Sequence, residues 1–264
     1  MHAIAITVLG SCLGIVAAAA SSTWCRRRRR TLAEEDRRAI RYLDETGDPT
    51  GTVAEWASAV EQQARLGMVE PETTQALAAR GLVSLEPGNG EPGAKLTLRL
   101  RNGLPVCLLW CCANALACGA VATVTGSPAL AGAAACACMT AACDWAHRSI
   151  PATPCVAMVG LGGLGAGLDP LACLAAALVA LAALAGFRAL AESRSEGALG
   201  TGDVLLIAAM AASLMDARRL LALSVSAVAV LGALLVAKAA RGTRGEPVAL
   251  APWLLLPYLI GVCA

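Results

Sequence analysis

No two cysteines stand as C-x-x-C anywhere in this chain, although 12 of its 264 residues are cysteine. That absence excludes a zinc ribbon and a thioredoxin-like redox motif, both of which need such pairs. All but one of the cysteines lie in or at the ends of apolar runs: Cys12, Cys107, Cys111, Cys112, Cys118, Cys136, Cys138, Cys143, Cys155, Cys173 and Cys263. Cys25 follows the first run and sits beside the arginines. They read as small apolar packing residues between helices. A second absence is of Lys or Arg before the first apolar run, residues 3–24; Arg26 to Arg30 follow it instead. A secretory signal carries its positive charge in front, so this order is reversed. The positive-inside rule then puts the N-terminus outside and the arginines in the cytoplasm. A third absence is of a basic face in the charged stretch 25–103, which argues against phosphate contacts and nucleic-acid binding.

What the chain has in abundance is apolar sequence. Hydrophobic residues make up 57% and mean hydropathy is +0.64, against about 45–50% apolar in soluble domains. The excess falls into long runs of Ala, Leu, Val, Cys and Gly. A bilayer core needs roughly 20 such residues per helix. After the first run come stretches near 104–124, 129–143, 152–168, 170–190, 203–215, 220–237 and 248–264, which predict an all-α, polytopic membrane bundle of about eight transmembrane helices. Alternating their direction sorts the charges. The cytoplasmic side receives 19 basic residues and the outer side only Arg218 and Arg219, which supports the eight-span reading with both termini outside.

The stretch 25–103 is the sizeable soluble part, with 13 basic and 12 acidic residues. The domain reading is therefore a first transmembrane helix at 1–24, a mainly helical cytoplasmic insert at 25–103 and a membrane-embedded core at 104–264. Residues 31–45 and 53–66 read as amphipathic helices and Glu70 to Arg80 as another. The alternation from Lys95 to Arg101 reads as a strand, giving a faint winged-helix pattern.

Outside the insert seven residues are acidic: Asp144, Asp169, Glu192, Glu196, Asp203, Asp216 and Glu246. Topology places Asp169 and Asp216 outside and the glutamates in cytoplasmic loops. Asp144 and Asp203 each fall where an apolar run meets the cytoplasm. Ionisable groups there are costly and usually have a use or a partner. Asp203 follows Gly200-Thr201-Gly202, whose glycines allow close backbone approach. Asp144 precedes Ile150-Pro151 by six residues, and that proline suits the first turn of a new helix. Asp144 and the turn Trp145 to Ser149 thus read as a hairpin. Taken singly, either aspartate is explicable as a helix N-cap.

Asp144-Trp-Ala-His-Arg-Ser-Ile-Pro151 resembles the D-x5-I-P motif of the type IV prepilin peptidases, and Gly200-Thr-Gly-Asp203 is similar to their G-x-G-D motif, which presenilin-like intramembrane proteases share. Pro247 to Leu254 resembles the family's closing P-x-x-P helix. The resemblance covers roughly 104–264. It implies an aspartic endopeptidase with Asp144 and Asp203 as its catalytic pair, supported by Gly200, Gly202, Ile150 and Pro151. It implies a prepilin-like membrane peptide as substrate, cut at the cytoplasmic junction of a short basic leader and an apolar helix, in type IV pilus or secretion systems. Neither metal nor cofactor is expected, and the expected surroundings are the lipid bilayer of the cell membrane. Oligomeric state and the choice of general base stay open. Ala152 stands where the family usually has Asn, and Leu205 where it usually has Lys. The insert lacks the paired C-x-x-C motifs that accompany methyl transfer in larger members. Two alternatives stand beside this reading: a catalytically inactive assembly partner of the same fold, favoured by those two departures, and a proton- or cation-coupled transporter.

Overall fold

The computed structural model describes residues 2–46, 105–147, 149–192, 200–240 and 249–264. Among them the only regular structure is helical. Eight helices follow in order: α1 His2–Thr46, α2 Pro105–Thr125, α3 Pro128–His147, α4 Ala152–Gly165, α5 Pro170–Glu192, α6 Thr201–Leu214, α7 Ala217–Ala240 and α8 Ala251–Cys263. Each apolar run read from the sequence corresponds to one of them. Proline opens α2, α3 and α5, where the N–H it lacks would have had no partner within the helix. The expected helices at 53–66 and 70–80 and the strand at 95–101 lie outside the described residues, as do Arg148, Arg194, Glu196 and Glu246.

Two boundaries differ from those expected. The first span and the amphipathic helix at 31–45 form one continuous helix of 45 residues. No glycine or proline interrupts the chain between Gly14 and Gly47, and arginines are good helix formers. Likewise α3 continues past Asp144 to His147. Asp144 therefore sits on the last helical turn and not in a hairpin loop.

By packing, the chain divides into two units, Met1–Ser21 with Leu108–Ala264, and Ser22–Cys107. All inter-helix contacts given below lie in the first. Among the described residues, four stretches are long and apolar enough to cross a membrane: 3–28, 108–125, 128–147 and 217–237. Helices α4, α6 and α8 have only 14, 14 and 13 residues. At 1.5 Å per residue they rise about 20 Å, short of a ~30 Å hydrocarbon core. The chain is a multi-pass membrane protein, with short helices packed among long ones.

The distribution of side chains explains how. α3 is the most enclosed helix, and its buried residues are nearly all small: Ala131, Gly132, Ala133, Ala134, Ala135, Ala137 and Cys138. Many large side chains of the flanking helices point outward, as with Leu171, Leu178 and Val179 on α5 and Val225, Val228 and Val236 on α7. Lipid tails are as apolar as leucine, so nothing drives leucines inward, and close backbone packing favours small residues inside. The described cysteines are free thiols that fit this pattern. Cys118 of α2 and Cys138 of α3 are fully buried.

α3 packs against α4 and α8; α6 packs against α4, α5 and α8; α7 packs against α8. On the other flank α1 meets α2 through Gly10 and Gly14. A Cβ on Gly10 would come 2.7 Å from the Cys118 carbonyl oxygen, and one on Gly14 would come 2.3 Å from that of Asn114. Hydrogen bonding between Thr7 and Thr123, at 2.8 Å, ties the same pair. The contacts also fix direction. Gly202, near the start of α6, abuts Ile150 just before α4, while Gly162 near the end of α4 abuts Ser213 near the end of α6. Ser213 hydrogen-bonds Tyr258 of α8 at 2.9 Å, and Gly261 abuts Leu214. Helices α4, α6 and α8 are thus parallel. α3 is antiparallel to them, with Leu130 at its start against Gly165 at the end of α4.

This packing makes a prediction. A Cβ at Gly162 would lie 2.5 Å from the Ser213 carbonyl oxygen, whereas one at Gly160 would meet nothing within 4 Å. Gly162→Ala should cost about 1–3 kcal/mol of stability by forcing α4 from α6. Gly160→Ala should be neutral or gain a few tenths from its better helix propensity. Thermal melts in one detergent compare them directly, and equal melting points would contradict the α4–α6 contact.

Candidate active site

Because α4, α6 and α8 are parallel, three helix N-termini gather at one end of the bundle, beside the C-terminus of α3. Asp144 and Asp203 lie at that end. A helix N-terminus carries roughly half a positive charge and unpaired N–H groups, so it favours anions.

Asp144 is buried, with only 5% of its surface exposed. Its position on the last turn of α3 is unfavourable for a carboxylate, because the C-terminal end of a helix dipole is negative. Its Oδ2 accepts the Ala251 backbone N–H, at 3.0 Å, from the start of α8. The need for that acceptor follows from the local sequence. Pro252 has no N–H. The N–H groups of Trp253 and Leu254 both reach the Leu250 carbonyl, at 3.1 Å each. Asp144 meets the Ala251 N–H of this first turn, and buried N–H groups are seldom left without an acceptor.

Asp203 is the third residue of α6 and half-buried. Its Oδ2 accepts the Gly200 N–H at 3.2 Å, folding back over its own helix start. Both glycines of the motif have a steric reason. A Cβ on Gly200 would approach Asp203 Oδ2 to 3.0 Å, and one on Gly202 would approach Ile150 Cβ to 3.1 Å. The first glycine leaves room for the carboxylate, and the second lets α6 settle on the turn that follows Asp144. Gly202 against Ile150 is the contact that joins the two sequence motifs in space. Pro151, extended at φ −69° and ψ 136°, is the N-cap of α4.

Asp169 and Asp216 sit at the opposite end. Asp169 Oδ1 accepts the Leu171 N–H at 3.3 Å, and Asp216 Oδ1 accepts those of Arg218 and Arg219 at 2.8 and 3.2 Å. They cap the starts of α5 and α7 and have a complete local explanation. Of the two family departures, Ala152 is exposed as the first residue of α4, and Leu205 lines an apolar hollow beside α6.

Residues 130–237 match the family described as the type IV leader peptidase family. Over that segment, somewhat under half of the chain, the protein is similar to the type IV leader peptidases. No curated protein and no solved structure matches it. The leader-peptidase segment runs from α3 into α7 and contains Asp144, Ile150, Pro151, Gly200, Gly202 and Asp203. It ends before α8, so the Ala251 N–H that Asp144 holds is supplied from outside it.

Two features of this end of the bundle were not evident from sequence. The Asp144–Ala251 link is long-range, its one local sign being Pro252 at the start of an apolar run. Arg188 of α5 donates a hydrogen bond to Thr201 Oγ1 at the first residue of α6; in the sequence it was one more cytoplasmic charge.

The cap role of Asp144 is testable apart from any chemistry. Asp144→Ala removes the acceptor and should lower stability by about 1–3 kcal/mol, the usual loss when a buried N–H is stranded. Asp144→Asn keeps an acceptor oxygen and should lose less than half of that. Thermal melts of the purified variants separate the cases, and an unaltered melting point in Asp144→Ala would contradict the cap.

Proposed function

We propose that the chain is a membrane aspartic endopeptidase that removes a short basic leader from prepilin-like membrane peptides at the cytoplasmic face, with Asp144 and Asp203 as the acid–base pair. The observation that carries this is the seating of Gly202 on Ile150. It brings the D-x5-I-P turn and the G-x-G-D helix start together, at the end where three helix N-termini favour carboxylates. Two carboxyl groups sharing a site do not both ionise cheaply, so one holds a proton and the other is charged, and their titration belongs to the pair. The charged one takes a proton from water. The protonated one donates to the scissile carbonyl oxygen, and proton transfer to the leaving amine restores the pair. Orientation follows the charge map: the Arg26–Arg30 cluster and the site end face the cytoplasm, and both termini lie outside. A substrate helix then stays in lipid while its basic leader stays in water.

A transporter reading has less support, since both carboxylates lie at one end of the bundle and transport sites sit near the midplane. The inactive-partner reading rests on Ala152 and Leu205, and the same assay decides it.

Cleavage of a co-expressed prepilin-like peptide tests the proposal. Asp144→Asn and Asp203→Asn should each abolish cleavage nearly completely, and the double variant should be hardly worse, because residues acting as one unit are strongly non-additive. Asp169→Asn and Asp216→Asn should cleave normally. Full cleavage by Asp203→Asn at normal protein level would refute the assignment.

A further inference from the structure

Two apolar hollows lie along α5 and α6. One, of about 550 Å³, is lined at the site end by Ile150, Arg188, Thr201 and Gly202. The other, of about 300 Å³, lies deeper and is lined by Gly160, Cys173 and Ala208 among others. Leu181 and Leu205 line both, so the two adjoin along α5 and α6 and together outline one groove. From Arg188 to Cys173 it follows α5 for about 22 Å at the helical rise. Val156, Leu174 and Leu178 along its edge are exposed, so it opens sideways to lipid.

We infer that this groove receives the apolar membrane segment of the peptide substrate and that Arg188 keeps the basic leader out of it. The inference rests on the peptidase reading and names its binding surface. Three features select this occupant. Below Arg188 and Thr201 the lining is apolar and, at Gly160 and Ala208, small enough for another helix to approach closely. Its upper end is Thr201 and Gly202, immediately before Asp203, so a segment lying in it would end at the first turn of α6. The cation among its lining residues is Arg188, at that same end and held by Thr201. Like charges brought together on docking are disfavoured. A peptide with one basic and one apolar end therefore enters by its apolar end, leaving the leader on the carboxylate side.

A photo-crosslinking residue at Ala185, which lines the groove, and at Val228, on the exposed face of α7, tests this in the full chain in membranes. The probe is a co-expressed peptide with a Lys/Arg leader followed by ~20 apolar residues. Ala185 should give an adduct with the apolar part of the peptide, Val228 none. In Arg188→Glu the Ala185 adduct should shift toward the leader. Gly160→Leu, whose Cβ would meet nothing within 4 Å, puts a bulky side chain into the groove and should raise KM about tenfold with kcat little changed. Gly232→Leu, equally open but on α7, should leave both unchanged. Peptide adducts only at Val228, lipid adducts only at Ala185, or cleavage indifferent to Gly160→Leu would each overturn the groove assignment. Cleavage without an Ala185 adduct refutes the groove and leaves the peptidase reading standing. An Ala185 adduct without cleavage supports the groove and counts against that reading.

Discussion

The carboxylate of Asp144 on the Ala251 N–H is the contact on which the arrangement of this end of the bundle depends. Inside a membrane an open backbone N–H has no water to turn to. α8 begins with Ala251 and Pro252, a pair that leaves one N–H needing an acceptor, and α3 supplies it from its last turn. The bond ties the start of α8 to the end of α3. From there the connections run through side chains and small residues: Tyr258 to Ser213, Ser213 against Gly162, Gly202 against Ile150. Each holds a short helix parallel to the next.

Electrostatics follows from that parallel set. Asp169, Asp203 and Asp216 each accept an N–H at the start of their own helix. Asp144 accepts from another helix while standing at the negative end of its own. Ionisable groups so placed inside a membrane protein usually have a use or a partner. The segment that matches the leader peptidase family contains both Asp144 and Asp203.

Much of this was legible in the sequence, for definite reasons. Apolar runs separated by charge clusters marked all eight helices, since a membrane helix writes its length directly into composition. The site was legible as two local motifs, because glycine, aspartate and proline have positional meaning even without a partner in view. The rest was not. The chain carried no stop at residue 24, so α1 continues, and that required weighing the absence of Gly and Pro over 15–46. Asp144 looked like a turn residue because the polar sequence after it masks one more helical turn. Its partner Ala251 is 107 residues away in sequence, and no periodicity reports such a link. Arg188 looked like one more inward-facing charge until Thr201 gave it a position.

The central claim is that the parallel short helices bring Asp144 and Asp203 to one reaction centre. An experimental structure of the chain in a lipid nanodisc, at a resolution that shows carboxylate oxygens and ordered water, measures this directly. The account predicts a closest oxygen–oxygen separation of roughly 3–6 Å, the span of a direct hydrogen bond or of one shared water. Carboxylates on different faces of the bundle, more than about 10 Å apart with and without a bound peptide, would contradict it.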